Sequence, residues 1–131
     1  MDYRDAVILV ARVLLMILFI MTGWQKLRDF PGTVAYMRAN ATPWPELSAV
    51  VAVAVEFFFG IGVVLGAWTR VLAVVFVAFT LGTALLGHRY WRLDGEARHA
   101  NLLNFYKNVS IAGGLLLLAL LGGGRYALVV G

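Results

Sequence analysis

Four long apolar runs constrain this chain more than any other feature of its sequence. A transmembrane helix needs about 20 largely apolar residues, because each residue adds ~1.5 Å toward a hydrocarbon core of ~30 Å. Runs of this length are too long and too continuous to be buried strands. Four segments meet the requirement: residues 6–26, 47–68, 71–91 and 102–122. The sequence therefore predicts an all-α polytopic membrane protein, a four-transmembrane-helix bundle formed by residues 1–131 as a single transmembrane domain.

Composition also favours a lipid bilayer over water as the environment of the chain. Hydrophobic residues make up 62% of the chain and charged residues 14%, whereas a soluble domain carries roughly 25% charged residues. The net charge of +4 does not indicate nucleic-acid binding, because most of the cations lie between the apolar runs. Since the chain has no cysteine, redox chemistry would need a bound cofactor or the thiols of a partner protein.

The distribution of Lys and Arg predicts how the bundle is oriented in its membrane. Cytoplasmic loops are enriched in these residues. The side that holds both termini carries three cations and the opposite side carries seven. Both termini are therefore expected on the outer side of the membrane. The three cations are Arg4, Arg70 and Arg125, and the seven are Lys26, Arg28, Arg38, Arg89, Arg92, Arg98 and Lys107.

Two ionisable residues, Arg12 and Glu56, lie deep within apolar runs. Such a group costs at least ~2.5–3.5 kcal/mol to insert, so an unpaired one needs a reason. Counted from the side of the termini, Arg12 lies ~9 Å deep and Glu56 ~16 Å deep, so antiparallel neighbours would place them ~7 Å apart in depth. We expect a buried Arg12–Glu56 ion pair. The pair either holds the first two helices together or makes Glu56 a proton or ligand site.

A second group of polar residues converges on the predicted cytoplasmic end of the bundle, beside several aromatic residues. A donor-rich, aromatic-lined pocket at a membrane interface suits a quinone head group or another small polar lipid. The alternative is ordinary snorkelling and interfacial anchoring of these side chains. The candidate ligand-binding residues are Lys26, His88, Asn104, Lys107 and Asn108. No metal site is predicted, because His88, Asp94, Glu96 and His99 match no strong metal motif.

Several short motifs follow one another in a set order along the chain. They are Arg12, the Gly-x-x-Lys of Gly23 to Lys26, the Glu-x-x-x-Gly of Glu56 to Gly60, the turn from Gly66 to Arg70, His88, and Asn108 followed by Gly113-Gly114. In this order they resemble the DoxX family of small four-helix bacterial membrane proteins. The resemblance implies a link to redox or sulfur metabolism, since one relative is a subunit of a thiosulfate:quinone oxidoreductase and others are proposed to tether oxidative-defence enzymes. It marks Arg12, Lys26, Glu56, Arg70, His88 and Asn108 as the residues to test.

Three functions stay open at the level of sequence. The first is a redox-linked membrane protein that holds a quinone or similar ligand and receives electrons from a partner protein. The second is a non-catalytic scaffold or assembly factor for a redox or other complex. A small multidrug-type transporter is less favoured, because Glu56 has a ready cationic partner and the loop charges disfavour dual topology. Small-residue stripes such as Gly62 to Gly66 would serve a homodimer or packing within one chain.

Overall fold

The computed structural model describes residues 3–129, and its helices follow the four apolar runs. The elements are α1 (Tyr3–Arg28), α2 (Phe30–Ala39), α3 (Pro45–Val53), a π-helical segment (Ala54–Phe59), α4 (Gly60–Leu65), α5 (Thr69–Gly87), a 3₁₀ turn (Tyr90–Arg92) and α6 (Gly95–Leu121). Helix α3, the π-helical segment and α4 form one continuous helical span. The predicted fold class is confirmed, because four helical spans within residues 3–129 are long and apolar enough to cross a membrane.

The four spans alternate in direction, so the bundle has two distinct ends. The loop end carries α2 and the 3₁₀ turn, and the terminal end carries residue 3, the turn between α4 and α5, and residues 122–129. Helix α1 packs against the second span and α5 packs along α6. Phe19 and Phe76 meet in the core with ring centroids 4.8 Å apart. Many other large apolar side chains are exposed on the outside of the bundle, as expected where the solvent is lipid.

Helix α2 begins directly after α1 because its first residues favour the start of a new helix. Asp29 caps it by accepting a hydrogen bond from the amide of Gly32 at 3.1 Å. Pro31 occupies the first turn, where its missing amide hydrogen costs nothing. Thr33 ties the helix back to α1 through a 3.2 Å hydrogen bond to the carbonyl of Lys26. The chain therefore folds α2 across the end of the bundle directly after α1.

A close approach of two backbones fixes the position of α1 relative to the second span along the bundle axis. A methyl group added at Gly23 would stand 2.6 Å from the amide nitrogen of Phe57 and 2.9 Å from the Cβ of Glu56. One at Gly60 would stand 2.9 Å from Ile20. Glycine at both positions thus lets α1 lie directly on the π-helical segment. A π turn holds one more residue than an α turn and is often found at functional sites.

The terminal end is closed by a helix stop and a returning segment. Gly66 has a φ of +80° and ends α4, with hydrogen bonds from its amide to Val63 and from the Ala67 amide to the Gly62 carbonyl. Residues 122–129 then fold back over this end. The amide of Leu128 donates to the carbonyl of Leu65 at 3.1 Å. The last described residues are therefore anchored on the end of α4.

Candidate functional site

Glu56 lies at the centre of a buried polar cluster between α1 and the π-helical segment. Its Oε2 is 2.6 Å from Nζ of Lys26, and its Oε1 accepts a 2.9 Å hydrogen bond from the hydroxyl of Thr22. The carboxylate is almost fully buried, with 7% of the side chain exposed, whereas Lys26 keeps 31% exposed. Both carboxylate oxygens therefore have partners, and Lys26 is the more exposed member of the ion pair.

The local sequence explains why these groups meet. Thr22 and Lys26 are four residues apart and so share one face of α1. Gly23 lies between them and admits the backbone of the π-helical segment. The Gly-x-x-Lys and Glu-x-x-x-Gly motifs are thus two halves of one contact. Sequence reasoning missed Thr22, although its i,i+4 spacing from Lys26 was the signal that could have found it.

Arg12 does not pair with Glu56, contrary to the sequence prediction. It is fully buried and donates to the carbonyls of Val63, at 3.3 Å, and Tyr126. Among residues 3–129 no carboxylate forms an ion pair with it. A guanidinium at this place is instead stabilised by the carbonyl end of α4, where the helix dipole favours a cation.

The prediction was wrong because it assumed a different position of α1 relative to the second span along the bundle axis. The sequence argument counted depth from the ends of the apolar runs. The close approach at Gly23 places Glu56 opposite that residue, eleven positions after Arg12. This separation corresponds to about 16 Å along α1. Arg12 and Glu56 therefore serve opposite ends of the bundle.

A cavity of about 720 Å³ opens at the loop end between α1, α2, α3 and α5. This volume lies within the range of about 300–1,000 Å³ that is typical of small-molecule sites. Lys26 and His88 both line it, so the structure brings together two of the predicted ligand-binding residues. Its other polar lining residues include Thr22, Asp29, Thr33, Asn40, Ser48 and Thr83, and its apolar ones include Leu47, Val51, Phe79 and Leu86.

The remaining predicted residues lie outside the cavity. Asn108 supports its wall from behind, because its amide nitrogen lies 3.3 Å from the hydroxyl of Thr83 and 3.4 Å from the carbonyl of Thr80. Asn104 is half-buried and Lys107 is exposed, and neither lines the cavity. Arg70 is exposed at the terminal end, with a nitrogen 3.5 Å from the carbonyl of Leu121. Arg70 is the second residue of α5 and directly follows the turn between α4 and α5.

His88 follows the last residue of α5 and contacts α6. Its Nδ1 lies 3.2 Å from Oδ1 of Asn101. The neighbouring Arg89 donates to the carbonyl of Asn40 at 3.0 Å, which joins this turn to the end of α2. The cavity therefore has walls from three helical spans and from α2, all tied together at the loop end.

Comparison with known proteins agrees with this arrangement of motifs. The DoxX family model matches residues 7–89, more than half of the 131 residues. The chain belongs to the DoxX family. The matched region runs from α1 to the turn after α5 and so contains Lys26, Glu56 and His88. The resemblance drawn from the sequence is confirmed.

Two relatives from Escherichia coli (strain K12) extend the similarity to nearly the whole chain. Inner membrane protein YphA is 47% identical over 125 residues, which cover 95% of this chain and 89% of YphA. Inner membrane protein YqjF is 41% identical over 125 residues, which cover 95% of this chain and 91% of YqjF. No solved structure gives a significant match. With its four apolar spans, the chain is a small inner membrane protein of the DoxX family.

Proposed function

We propose that this DoxX protein binds a quinone, or a similar small amphiphile, in the loop-end cavity and takes part in a redox reaction. The observation that carries the proposal is the lining of the cavity, which combines Lys26 and His88 with apolar walls from Phe79, Leu47 and Leu86. A quinone has a ring with two polar oxygens and an apolar tail, so its groups match such a lining. Small-molecule sites commonly combine a few oriented polar groups with apolar surface in this way.

Lys26 would hold one oxygen of the ring. Its ammonium group has three hydrogens, and within residues 3–129 Nζ donates one of them to Glu56. The other two are available to a ligand in the cavity. A cation that donates to a quinone oxygen stabilises the charge that develops on reduction. Because Glu56 neutralises Lys26, the positive charge can stay near the bundle without a second buried counter-ion.

Electrons for the reaction would come from a partner protein. The chain has no cysteine, so it has no thiols of its own to carry a disulfide relay. The Lys and Arg bias of the loops favours the cytoplasmic side for the loop end, so we propose that both the cavity and the redox partner lie there. Under this proposal the DoxX chain supplies the membrane-side ligand site and its partner supplies the reducing equivalents.

The geometry at Glu56 counts against the alternative of small multidrug-type transport. Such a transporter depends on a membrane carboxylate that exchanges a proton for a cationic substrate. In this chain both oxygens of Glu56 are already bonded, one to Lys26 and one to Thr22. A cationic substrate would have to displace an ammonium group 2.6 Å away.

The test compares quinones retained by the purified protein and two histidine variants. The wild-type chain, His88→Ala and His99→Ala are purified gently in detergent, and quinones are extracted and quantified by mass spectrometry. His99 is the matched control because it is exposed and does not line the cavity. We expect near-stoichiometric quinone in the wild type and in His99→Ala, and loss of most of it in His88→Ala.

A second measurement covers weak ligands that are lost during purification. Decylubiquinone is titrated into nanodiscs that carry each of the three proteins, with empty nanodiscs as the blank for partitioning into lipid. Absence of quinone from the purified wild type, together with absence of saturable binding of decylubiquinone to it in nanodiscs, would overturn the proposal. It would favour the scaffold function, for which crosslinking to partner proteins is the next step.

A further inference from the structure

The contact between His88 and Asn101 determines which nitrogen of the imidazole carries a proton. The amide nitrogen of Asn101 donates to the carbonyl of Ala97 at 2.9 Å, and a carbonyl can only accept. The amide oxygen therefore faces Nδ1 of His88, at 3.2 Å. An amide oxygen is also only an acceptor. Nδ1 must be the donor, so it holds the hydrogen.

The other nitrogen, Nε2, is then an acceptor in the neutral ring. Within residues 3–129 no group hydrogen-bonds to it. Asn101 and Ala97 belong to α6, which contributes no residue to the cavity lining, whereas His88 does line the cavity. Since Nδ1 is held by α6, the edge of the ring that carries Nε2 is the edge left for a ligand.

Several other charged and titratable groups line or adjoin the cavity. Lys26 lines it from α1, Asp29 lines it from the N-cap of α2, and Tyr36 lines it from α2 itself. Arg89, next to His88, donates to the carbonyl of Asn40, which lines the cavity, and the guanidinium of Arg98 on α6 lies 5.5 Å from the ring centre of Tyr90. Besides the hydroxyl and amide groups of its lining, the cavity thus offers one ammonium donor, Lys26, and two groups that only accept, the carboxylate of Asp29 and Nε2 of the neutral His88 ring.

We propose that Asn101 is a positioning residue that keeps His88 a proton acceptor toward the cavity, and that the site consequently prefers a quinol over the corresponding quinone. This inference rests on the proposed function. A quinol hydroxyl can donate to Nε2, whereas both oxygens of a quinone only accept. Protonation of His88 would turn Nε2 into a donor and remove the preference.

The test measures the affinity of both redox forms of one ligand at two pH values. Decylubiquinone and its dithionite-reduced quinol are titrated anaerobically into nanodiscs that carry the protein, with empty nanodiscs as the blank. At about pH 8 we expect the quinol to bind about five- to tenfold more tightly, the effect of one hydrogen bond. At about pH 5 the preference should be smaller, because an imidazole that is protonated has no acceptor nitrogen.

Two variants of Asn101 separate positioning from a merely structural role. Asn101→Leu frees the imidazole to adopt either tautomer, so the preference at about pH 8 should fall. Asn101→Asp has the same size and favours the protonated ring, which has no acceptor nitrogen, so the preference at about pH 8 should also fall. Asn104→Leu is the matched control, because Asn104 is half-buried on the same helix but lies off the cavity. It should behave as the wild type.

The outcomes distinguish this inference from the proposal on which it rests. Equal affinity of the wild type for quinol and quinone at about pH 8 would overturn the inference and leave the quinone site intact. A preference that does not change with pH, or that survives both Asn101 variants unaltered, would also overturn it. Absence of saturable binding of either form would overturn both.

Discussion

Gly23 lies so close to Phe57 that a methyl group on its Cα would stand 2.6 Å from the Phe57 amide nitrogen. No flexible side chain can yield there, since the obstacle is backbone. The same contact brings the face of α1 that carries Thr22 and Lys26 onto Glu56. The buried polar cluster therefore depends on a residue that has no polar group of its own.

Replacement of this glycine by alanine is expected to force the two helices apart. Gly23→Ala should lower the free energy of unfolding by about 1–3 kcal/mol, the usual cost of overpacking. Gly113→Ala is the control, because a methyl group there meets no atom within 4 Å and alanine is the better helix former. Unfolding is followed by circular dichroism in detergent. A Gly23→Ala variant as stable as Gly113→Ala would contradict the close approach.

Glu56 is expected to be energetically coupled to Lys26 and not to Arg12. A double-mutant cycle with Lys26→Met and Glu56→Gln should give a coupling energy of about 0.5–3 kcal/mol, because the two groups are in direct contact. The same cycle with Arg12→Gln and Glu56→Gln should be additive, since the two side chains share no partner. Coupling to Arg12 that equals coupling to Lys26 would show that the pairing is different in the membrane.

The guanidinium of Arg12 is expected to be needed for anchoring residues 122–129. Arg12→Lys keeps the charge but loses the planar group that reaches the carbonyls of both Val63 and Tyr126. Hydrogen exchange of the Leu128 amide, which donates to Leu65, should become about tenfold faster or more. Arg28→Lys, at an exposed position of the loop end, should leave this rate unchanged. Equal rates in both variants would show that the anchoring does not depend on Arg12.

Filling the cavity is expected to abolish ligand binding without unfolding the protein. Gly82 lines the cavity, and a Cβ added there meets no atom within 4 Å, so a larger side chain has room to enter the cavity. Gly82→Leu should therefore retain its thermal stability and lose binding of decylubiquinone. Gly113→Leu introduces the same group away from the cavity and should bind normally. Normal binding by Gly82→Leu would place the ligand elsewhere.

The orientation in the membrane can be measured with single cysteines, because the chain has none of its own. Glu96→Cys lies near the loop end and Arg125→Cys near the terminal end, both at exposed positions. The loop charges predict that a membrane-impermeant maleimide labels Arg125→Cys, and not Glu96→Cys, in intact spheroplasts. After lysis both should be labelled. The reverse pattern would put the cavity on the outer side.

The sequence was sufficient for the four spans, because apolar length is a local property that the bilayer thickness makes decisive. It also identified Lys26, Glu56 and His88 as residues that need an explanation. The partners of these residues were harder to predict. The cation that pairs with Glu56 depends on how far α1 is displaced along the bundle axis relative to the second span. This displacement follows from the glycine contacts between the two spans.

The cavity illustrates a second limit of the sequence analysis. The sequence predicts that Asn104 and Lys107 belong to it, because they lie near the predicted loop end of the fourth run. The structure forms the cavity from α1, α2, α3 and α5 instead, with α6 behind it. The position of a residue near one end of a bundle does not show whether its side chain points toward the bundle interior. In a bilayer, polarity is a weak guide to that face close to the headgroups.

The link between Arg12 and Tyr126 also has a consequence for biosynthesis. The two residues are separated by 114 positions, so Arg12 enters the membrane long before its carbonyl partner has left the ribosome. A nascent chain that stops before residue 122 therefore carries a guanidinium in the bilayer with only part of its acceptors. Completion of the bundle is thus coupled to the synthesis of residues 122–129, and a chain that lacks them leaves the charge of Arg12 incompletely compensated.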